Sequence, residues 1–446
     1  MRCSILALTA ALSFATAAQA QTANNLTALQ GLAPFSALLN TAAGKAALAA
    51  NYTITGAIQT GTDEQPGLQP FPAQQAQALR DAFITSGDAA ELADGLGSKL
   101  GPAYLTLANY SGPKTFTSVS PDIANLLAYS FTLTGADSNA GKYFFANETL
   151  KIGKAPAKPV SPAAAAILTA FHGTTDVFGK AYGHPAGSPG ADPDGDSRPY
   201  QTEKTVLHFS GADYLGKPSN NTDYLSGPAQ DLTDSPSFPS GHTTYGYTEA
   251  TLLAILVPAR YPQMIVRGGE YGNSRIVVGA HYAMDVIAGR TLAYYDLAQL
   301  LSGNPAYLDQ KEGKAKPIAN YLAAVKKARA ELNMALAGAA HESVAEAAAQ
   351  DTGRFSNAAA DAAFYESTLT YGLPAVYPAK AEAVPPQAGY LLTAAFPDLS
   401  LAQADQILDS TEAPGGGFLD NGSAFGVYSR LDLYKAGLQA QALAPK

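Results

Sequence analysis

The 446-residue sequence contains one cysteine and no tryptophan, and only 15% of its residues are charged. The cysteine, Cys3, lies within the first twenty residues, which have the features of a removable export signal. The chain that remains after removal has no thiol. This absence excludes disulfide bonds, zinc sites built from cysteine and cysteine nucleophiles.

Basic residues are also scarce, with 28 Lys and Arg against 37 Asp and Glu, a formal net charge of −9. Proteins that bind nucleic acid through many phosphate contacts carry the opposite charge balance, so we expect no nucleic-acid partner. Apolar residues make up 47% of the chain, which is enough for a sizeable folded core.

Long apolar runs are missing. The most apolar stretch, 250–258, is about half of the ~20 residues that a membrane-spanning helix requires, so no membrane span is expected. Residues 1–20 combine Arg2, an apolar run and the small-residue pattern Ala18-Gln19-Ala20. This is the pattern of a signal peptide cleaved after about Ala20, and it predicts export to the periplasm or the medium.

The remaining chain shows helical spacing of apolar residues and few alternating runs. Helices are predicted at about 163–180, 240–258, 280–301 and 317–350, with a long Gly/Pro/Asp-rich loop region over 181–237. We therefore expect a mainly α fold, with residues 21–446 forming one large helical domain. Its core would span about 120–305, between an N-terminal helical part (21–120) and a C-terminal extension (306–446).

One candidate site begins an apolar helix with Pro239-Ser240-Gly241-His242. Unpaired backbone N–H groups and the positive end of the helix dipole meet at a helix start and can bind an anion. Gly241 lets a ligand approach the backbone closely. Taken alone, a Ser-Gly pair at this position is more often a helix cap than a binding site.

A second candidate pairs His281 with Asp285, four residues apart on a predicted helix. The carboxylate can hold one ring nitrogen and leave the other free as a nucleophile or base. Arg275 nearby offers a planar fork suited to an oxyanion. The alternative is a surface His–Asp pair with an unrelated arginine.

A third element, Arg198-Pro199, precedes both. Together the three elements resemble the signature of the superfamily of type 2 phosphatidic acid phosphatases, bacterial acid phosphatases and vanadium haloperoxidases. The residues that carry the resemblance are Arg198-Pro199, Pro239-Ser240-Gly241-His242 and Ser274-Arg275 with His281 and Asp285.

The resemblance implies a helical bundle and a two-step transfer through a phosphohistidine. It makes His281 the nucleophile, oriented by Asp285, and His242 the acid that protonates the leaving oxygen. The groups implied to hold the phosphate oxygens are Arg198, Arg275, the Ser240 hydroxyl and the Gly241 N–H.

One residue departs from the family pattern, which places a lysine seven residues before the arginine of the first motif. That position is Ala191 here. We expect an insertion over 181–197, with Lys180 at the end of the preceding helix taking the place of the missing lysine.

The same insertion carries acidic residues at the spacing of a calcium loop. Ser197 stands where such a loop needs glycine, and Pro199 interrupts it. A solvated acidic turn is therefore preferred, and no metal or other cofactor is expected. The four acidic positions are Asp192, Asp194, Asp196 and Glu203.

The resemblance favours an exported, metal-independent acid phosphatase that acts on small phosphomonoesters. A vanadium-dependent haloperoxidase is the main alternative, since the same residues would bind vanadate as its cofactor. A peripheral lipid-phosphate phosphatase and an envelope protein with a retired site are the others.

Overall fold

The computed structural model describes residues 23–62, 67–112, 114–145, 161–173, 177–185, 188, 190, 195–308, 315–379 and 382–444. The predicted signal peptide lies outside the described residues, as do Asp192 and Asp194 of the acidic loop.

The described chain is built almost entirely from helices, which confirms the mainly α prediction. The helices before the loop region are α1 Ala23–Leu32, α2 Ala42–Thr60, α3 Phe71–Arg80, α4 Leu100–Ala108, α5 Pro121–Phe145, α6 Pro162–Ala170 and α7 Val177–Ala181. The next are α8 Pro199–Thr202, α9 Gly241–Leu256, α10 Tyr261–Val277, α11 Ala283–Leu301 and α12 Pro305–Leu308. The last are α13 Tyr321–Ala340, α14 Val344–Ala349, α15 Ala358–Thr370, α16 Tyr390–Thr393, α17 Leu401–Thr411, α18 Ala424–Val427 and α19 Leu433–Leu443. Short 3₁₀ helices span Ala33–Asn40, Ala90–Leu96, Asn221–Tyr224 and Pro258–Arg260.

Two predicted helices are each divided in two. The helix expected at 163–180 breaks after α6, where His172 adopts a left-handed backbone with φ 55°. The helix expected at 317–350 breaks between α13 and α14, where His341 has φ 57°. Neither histidine is a residue type that marks a helix end as strongly as glycine does, so the breaks were not visible in the sequence.

The loop region contains the sheet found in the described structure, a two-stranded antiparallel ribbon. Strand β1 is Ser210–Ala212 and strand β2 is Pro218–Asn220, paired with Ser210 opposite Asn220.

Helices α5, α9, α10 and α11 form the centre of the molecule. Helix α9 is buried along nearly its whole length, as expected for a helix enclosed by others. Helix α11 approaches the start of α9 very closely at Gly289, where an added Cβ would lie 2.5 Å from the Ser240 carbonyl oxygen. Ser240 N–H in turn donates to the Asp285 carbonyl oxygen at 3.0 Å, so the two candidate motifs are held side by side.

The N-terminal part of the chain supports the start of α11. The side-chain oxygen of Asn51 accepts a hydrogen bond from Met284 N–H at 3.0 Å, and that of Thr55 accepts from Ala283 N–H at 3.1 Å. Both acceptors lie on α2 and satisfy backbone donors that a helix start leaves unpaired.

The C-terminal part is attached to the same helix through Arg290, which is buried. Its guanidinium donates to the carbonyl oxygens of Thr368, Leu369 and Ser429 at 2.7 to 2.9 Å.

Within the described ranges no helix is long and apolar enough to cross a membrane.

A group of three buried carboxyls, Asp88, Glu91 and Glu249, lies between the N-terminal part and α9. Burial raises the pKa of Asp88 and of Glu91 to about 7, and it raises the pKa of Glu249 well above its usual value, helped by the charges of the other two. Neither oxygen of Glu249 has a hydrogen-bond partner among the described residues. These carboxyls are therefore protonated in the folded protein under acidic conditions.

We expect the stability that these three carboxyls contribute to fall as pH rises from about 4 to above 7. In the unfolded chain these carboxyls ionise near pH 4, whereas in the folded protein they keep their protons up to a higher pH. The extra bound protons stabilise the native state, and this stability is lost as pH rises through the pKa of the carboxyls in the folded protein. Replacing Glu249 by Gln removes one of the titrating carboxyls. The free energy of unfolding should then fall by about 1–3 kcal/mol less over the same pH interval than it does in the parent protein. Urea unfolding at pH 4, 6 and 8 measures the effect.

The matched control is Glu366→Gln, at an exposed carboxylate that pairs with Lys435. It should leave the pH dependence of unfolding as in the parent protein. If the parent and Glu249→Gln proteins lose equal stability over this pH range, Glu249 does not titrate in the folded state as described.

Candidate active site

Three separated segments meet at one buried point. They are the residue before α8, the turn that begins α9, and the turn between α10 and α11, and they carry Arg198, His242 and His281 respectively. Arg198 and His281 are fully buried, and Arg198 Nη1 lies 2.9 Å from His281 Nε2. The structure thus brings together the elements that the sequence placed far apart along the chain.

His281 precedes α11 rather than lying on it, which corrects the expectation of a pair on one helix face. Asp285 is the third residue of α11 and accepts the Tyr282 N–H at 2.9 Å, as a residue at this helix position can. The His281 Nδ1 atom still lies 3.3 Å from Asp285 Oδ2. The carboxylate faces Nδ1 and the Arg198 donor faces Nε2, so the partners assign the proton to Nδ1 and a lone pair to Nε2.

Two residues that sequence reasoning missed hold the Asp285 carboxylate. Ser237 Oγ donates to Oδ2 at 2.5 Å, and the Tyr182 hydroxyl donates to Oδ1 at 2.6 Å. Burial raises the pKa of Asp285, and the hydrogen bonds from Ser237 and Tyr182 act against that rise. Ser237 lies two residues before Pro239, but nothing in the sequence indicated that Tyr182 reaches this carboxylate.

Arg198 is fixed by backbone oxygens. Its Nε donates to Ser235 O at 2.8 Å, Nη2 donates to Pro236 O at 3.0 Å, and Nη1 donates to Ala280 O at 3.0 Å. Carbonyl groups orient the guanidinium without neutralising its charge. This arrangement keeps a positive charge beside the His281 ring.

Arg275 offers the clearest donors for a ligand. Its Nη1 donates to Ala82 O at 2.9 Å, whereas its Nε and Nη2 are buried and have no hydrogen-bond partner in the described part of the chain. Burial lowers the pKa of Arg275, and the nearby charge of Arg198 acts in the same direction. Buried guanidinium N–H groups left unpaired are costly, and an oxyanion would satisfy both.

The backbone that anchors Arg275 is itself held by a buried ion pair. Arg267 Nη2 lies 2.5 Å from Asp81 Oδ1, and Ser274 Oγ donates to Asp81 Oδ2 at 2.8 Å. Ser274 therefore fixes the end of α10 and does not take part in the phosphate site.

The lysine that lies near Gly241 and the two histidines is Lys142, whereas the sequence analysis predicted Lys180 for this place. Lys142 lies on α5, is 6% exposed, and donates from Nζ to Pro236 O at 2.7 Å. A Cβ added to Gly241 would lie 3.4 Å from Lys142 Cε. Its charge lowers the pKa of both His242 and His281. Lys180, in contrast, is exposed at the end of α7.

His242 is the second residue of α9, and its Nε2 lies 3.0 Å from Gln230 Nε2. Burial lowers its pKa well below the usual value, with further lowering by Arg275, Arg198 and Lys142. Burial and the same three cations also lower the pKa of His281. Both rings are therefore neutral near pH 7 when no anion is bound. Gln230 was not foreseen.

The N-terminus of α9 has the geometry expected from its sequence. Ser240 is the N-cap, and its Oγ accepts the Thr243 N–H at 3.2 Å, leaving the hydroxyl proton available to a ligand. Gly241 follows as the first helical residue, and the Ser138 hydroxyl would lie 3.4 Å from an added Cβ. Bulkier residues at position 241 would therefore enter the pocket.

The acidic loop residues that the structure describes serve other purposes. Asp196 Oδ2 accepts the Phe238 N–H at 2.8 Å, and Glu203 Oε1 accepts from the Tyr282 hydroxyl at 3.1 Å. Among the described residues there is no group of three acidic, His or Cys side chains suited to a metal ion.

Comparison with known proteins agrees with this geometry. Residues 193–301 match the profile of the PAP2 superfamily, a segment that holds all three motifs. Relatives include an acid phosphatase of Zymomonas mobilis, 47% identical over 64 residues, which are 14% of this chain and 24% of that protein. A non-specific acid phosphatase of Salmonella typhimurium is 42% identical over 69 residues (16% and 28%), and one of Providencia stuartii is 39% identical over 85 residues (19% and 34%).

The chain thus spans about a quarter to a third of the length of the curated relatives it matches. The matching segment contains the buried histidine and both site arginines in one arrangement. The part of this chain that is similar to the PAP2 superfamily is therefore the segment 193–301, which carries the site.

Proposed function

We propose that this protein is an exported acid phosphatase that hydrolyses small phosphomonoesters through a phosphohistidine at His281. The observation that carries the proposal is a neutral, buried histidine surrounded by three cations, with two guanidinium N–H groups of Arg275 left for an anion. The relatives named acid phosphatase support the reaction class. Export rests on the pattern of residues 1–20.

His281 is suited to attack phosphorus. Its lowered pKa keeps the Nε2 lone pair unprotonated, and the Asp285 carboxylate at Nδ1 can stabilise the positive charge that develops on the ring. A substrate phosphate must displace the Arg198 hydrogen bond from Nε2, and the same Arg198 group can then bind a phosphate oxygen.

His242 is suited to protonate the leaving oxygen. In the first step the P–O bond breaks as the His281 N–P bond forms, and the proton of His242 goes to the departing alkoxide. In the second step His242 takes a proton from water, which attacks phosphorus and releases phosphate from His281. An anion in the pocket offsets the cations that lower the pKa of His242, so substrate binding favours the protonated acid.

Four groups would stabilise the phosphoryl group during transfer: the side chains of Arg198, Arg275 and Lys142, and the N-terminus of α9. These groups supply fixed positive charge and N–H donors in a buried site, where such interactions are strong. The carboxylates closest to the pocket are engaged by protein donors, Asp285 by Ser237 and Tyr182. The donor set therefore fits an oxyanion, and we infer hydrolysis that needs no metal ion.

Replacing His281 by Ala should abolish hydrolysis of p-nitrophenyl phosphate, with a loss on the order of 10⁴-fold in kcat, because the nucleophile is removed. The parent protein should be active in EDTA at about pH 6. Orthovanadate should inhibit it, because vanadate would bind to the same cationic groups as the substrate phosphate. Steady-state rates measure both effects.

The matched control is His341→Asn, at an exposed histidine with a left-handed backbone that Asn tolerates, and it should retain parent activity. Activity of His281→Ala within tenfold of the parent would rule out the nucleophile assignment. An inactive parent that oxidises bromide with peroxide once vanadate is added would assign the protein to the haloperoxidase branch.

Replacing Lys142 by Gln should lower kcat/KM by about 10- to 100-fold, since one of the three site cations is lost. It should also raise the pKa of His242, because Lys142 lowers it. The alkaline limb of the kcat profile, where the acid loses its proton, should therefore move to higher pH. Rates between pH 4.5 and 8.5 measure the shift.

Lys180→Gln is the matched control, because that lysine is exposed on α7. It should leave both kcat/KM and the pH profile at parent values. The opposite pattern, with Lys180→Gln impaired and Lys142→Gln intact, would restore the lysine that sequence reasoning selected.

A further inference from the structure

A stacked aromatic pair lies directly beside the proposed general acid. The rings of Phe131 and Tyr245 are 3.9 Å apart at an interplanar angle of 13°. The Tyr245 ring in turn meets the His242 ring edge-on, with centroids 6.3 Å apart at 70°. We call Phe131 and Tyr245 the aromatic shelf.

The shelf is continuous with the phosphate pocket along one helix face. Lys142, Ser138, Gly135 and Phe131 follow one another on α5 at steps of four, three and four residues, which places them in one row. Gly135 makes room for Tyr245, since an added Cβ would lie 2.7 Å from the Tyr245 ring. This row therefore connects Lys142, at the proposed phosphate pocket, with Phe131 of the aromatic shelf.

Both rings of the shelf are partly exposed. Other stacked pairs in the described structure, such as Phe35–Phe238, consist of two buried rings. Burial also raises the pKa of Tyr245 to about 12, so its hydroxyl carries no charge next to an anionic substrate. A neutral aromatic surface that remains accessible beside His242 is suited to bind part of a ligand.

The position of His242 defines which part of the substrate this is. His242 must reach the oxygen that leaves phosphorus, so the first atoms of the leaving alcohol lie within a few ångströms of its ring. Tyr245 is three residues further along α9, and its ring lies edge-on to that of His242 with the centroids 6.3 Å apart. The leaving alcohol must therefore extend past the shelf.

We propose that the aromatic shelf is a leaving-group subsite that selects phosphomonoesters whose alcohol carries an aromatic ring. The ring of the alcohol would stack on Tyr245 or meet it edge-on, as aromatic side chains do with one another. The inference rests on the proposed phosphatase function and adds the substrate class to it.

The test compares benzyl phosphate with ethyl phosphate, because the two alcohols are of similar basicity and differ chiefly in the ring. The parent protein should prefer benzyl phosphate by about tenfold in kcat/KM, largely through a lower KM. Tyr245→Leu and Phe131→Leu should each reduce the benzyl value by roughly 3- to 10-fold and leave the ethyl value within about twofold.

The matched control is Tyr390→Leu, at a partly exposed tyrosine on α16 in the C-terminal part, which should keep the parent preference. Phe131→Leu is the more informative variant, because Phe131 stacks on Tyr245 and not on His242. If Tyr245→Leu alone lowers both esters equally, Tyr245 positions His242 and the subsite is overturned.

The outcomes separate the subsite from the reaction. Hydrolysis of both esters with equal kcat/KM, unchanged by either shelf variant, overturns the subsite and leaves the phosphatase function standing. Failure to hydrolyse benzyl, ethyl and p-nitrophenyl phosphate overturns the function, and the subsite with it.

Discussion

The site depends on an electrostatic constraint, the burial of three cations around one neutral histidine. Burial lowers the pKa of His281, and the charges of Arg198, Lys142 and Arg275 lower it further. Cations crowded in a buried place repel one another, and the fold holds them with carbonyl oxygens that orient without neutralising. We propose that this concentration of positive charge is what attracts a phosphate group to the pocket.

This constraint explains several features of the surrounding structure. Gly289 allows α11 to press against the start of α9, which brings the Asp285 turn to Ser240. Helix α5 contributes Lys142 from the side, and the turn before α9 supplies Pro236 O as an acceptor for both Lys142 and Arg198. Helices and turns that are far apart in sequence must all be correctly packed before the three cations can lie around His281. The site therefore depends on the whole helical core.

The sequence predicted those parts of the site that are encoded locally. The start of α9 and the meeting of His281 with Asp285 follow from short-range spacing, and both were anticipated, although His281 lies in the turn before the helix. Lys142 was not foreseen, because spatial proximity between α5 and α9 has no local signal in the sequence. The same reason hid Tyr182, whose hydroxyl reaches Asp285 across the core. Helix boundaries at left-handed histidines were missed because propensity alone does not stop a helix there.

Acidic pH acts differently on the buried carboxyls of the fold and on the histidines of the site. The buried carboxyls of Asp88, Glu91 and Glu249 favour their protonated forms, so the native state gains stability as protons become available. In the proposed mechanism His242 must carry a proton to act as an acid, and burial and the cations around it make that proton hard to hold above neutral pH. Burial favours the neutral form of both kinds of group, so an acidic medium stabilises the fold through the carboxyls, whereas protonating the buried imidazoles costs stability unless an anion is bound beside them.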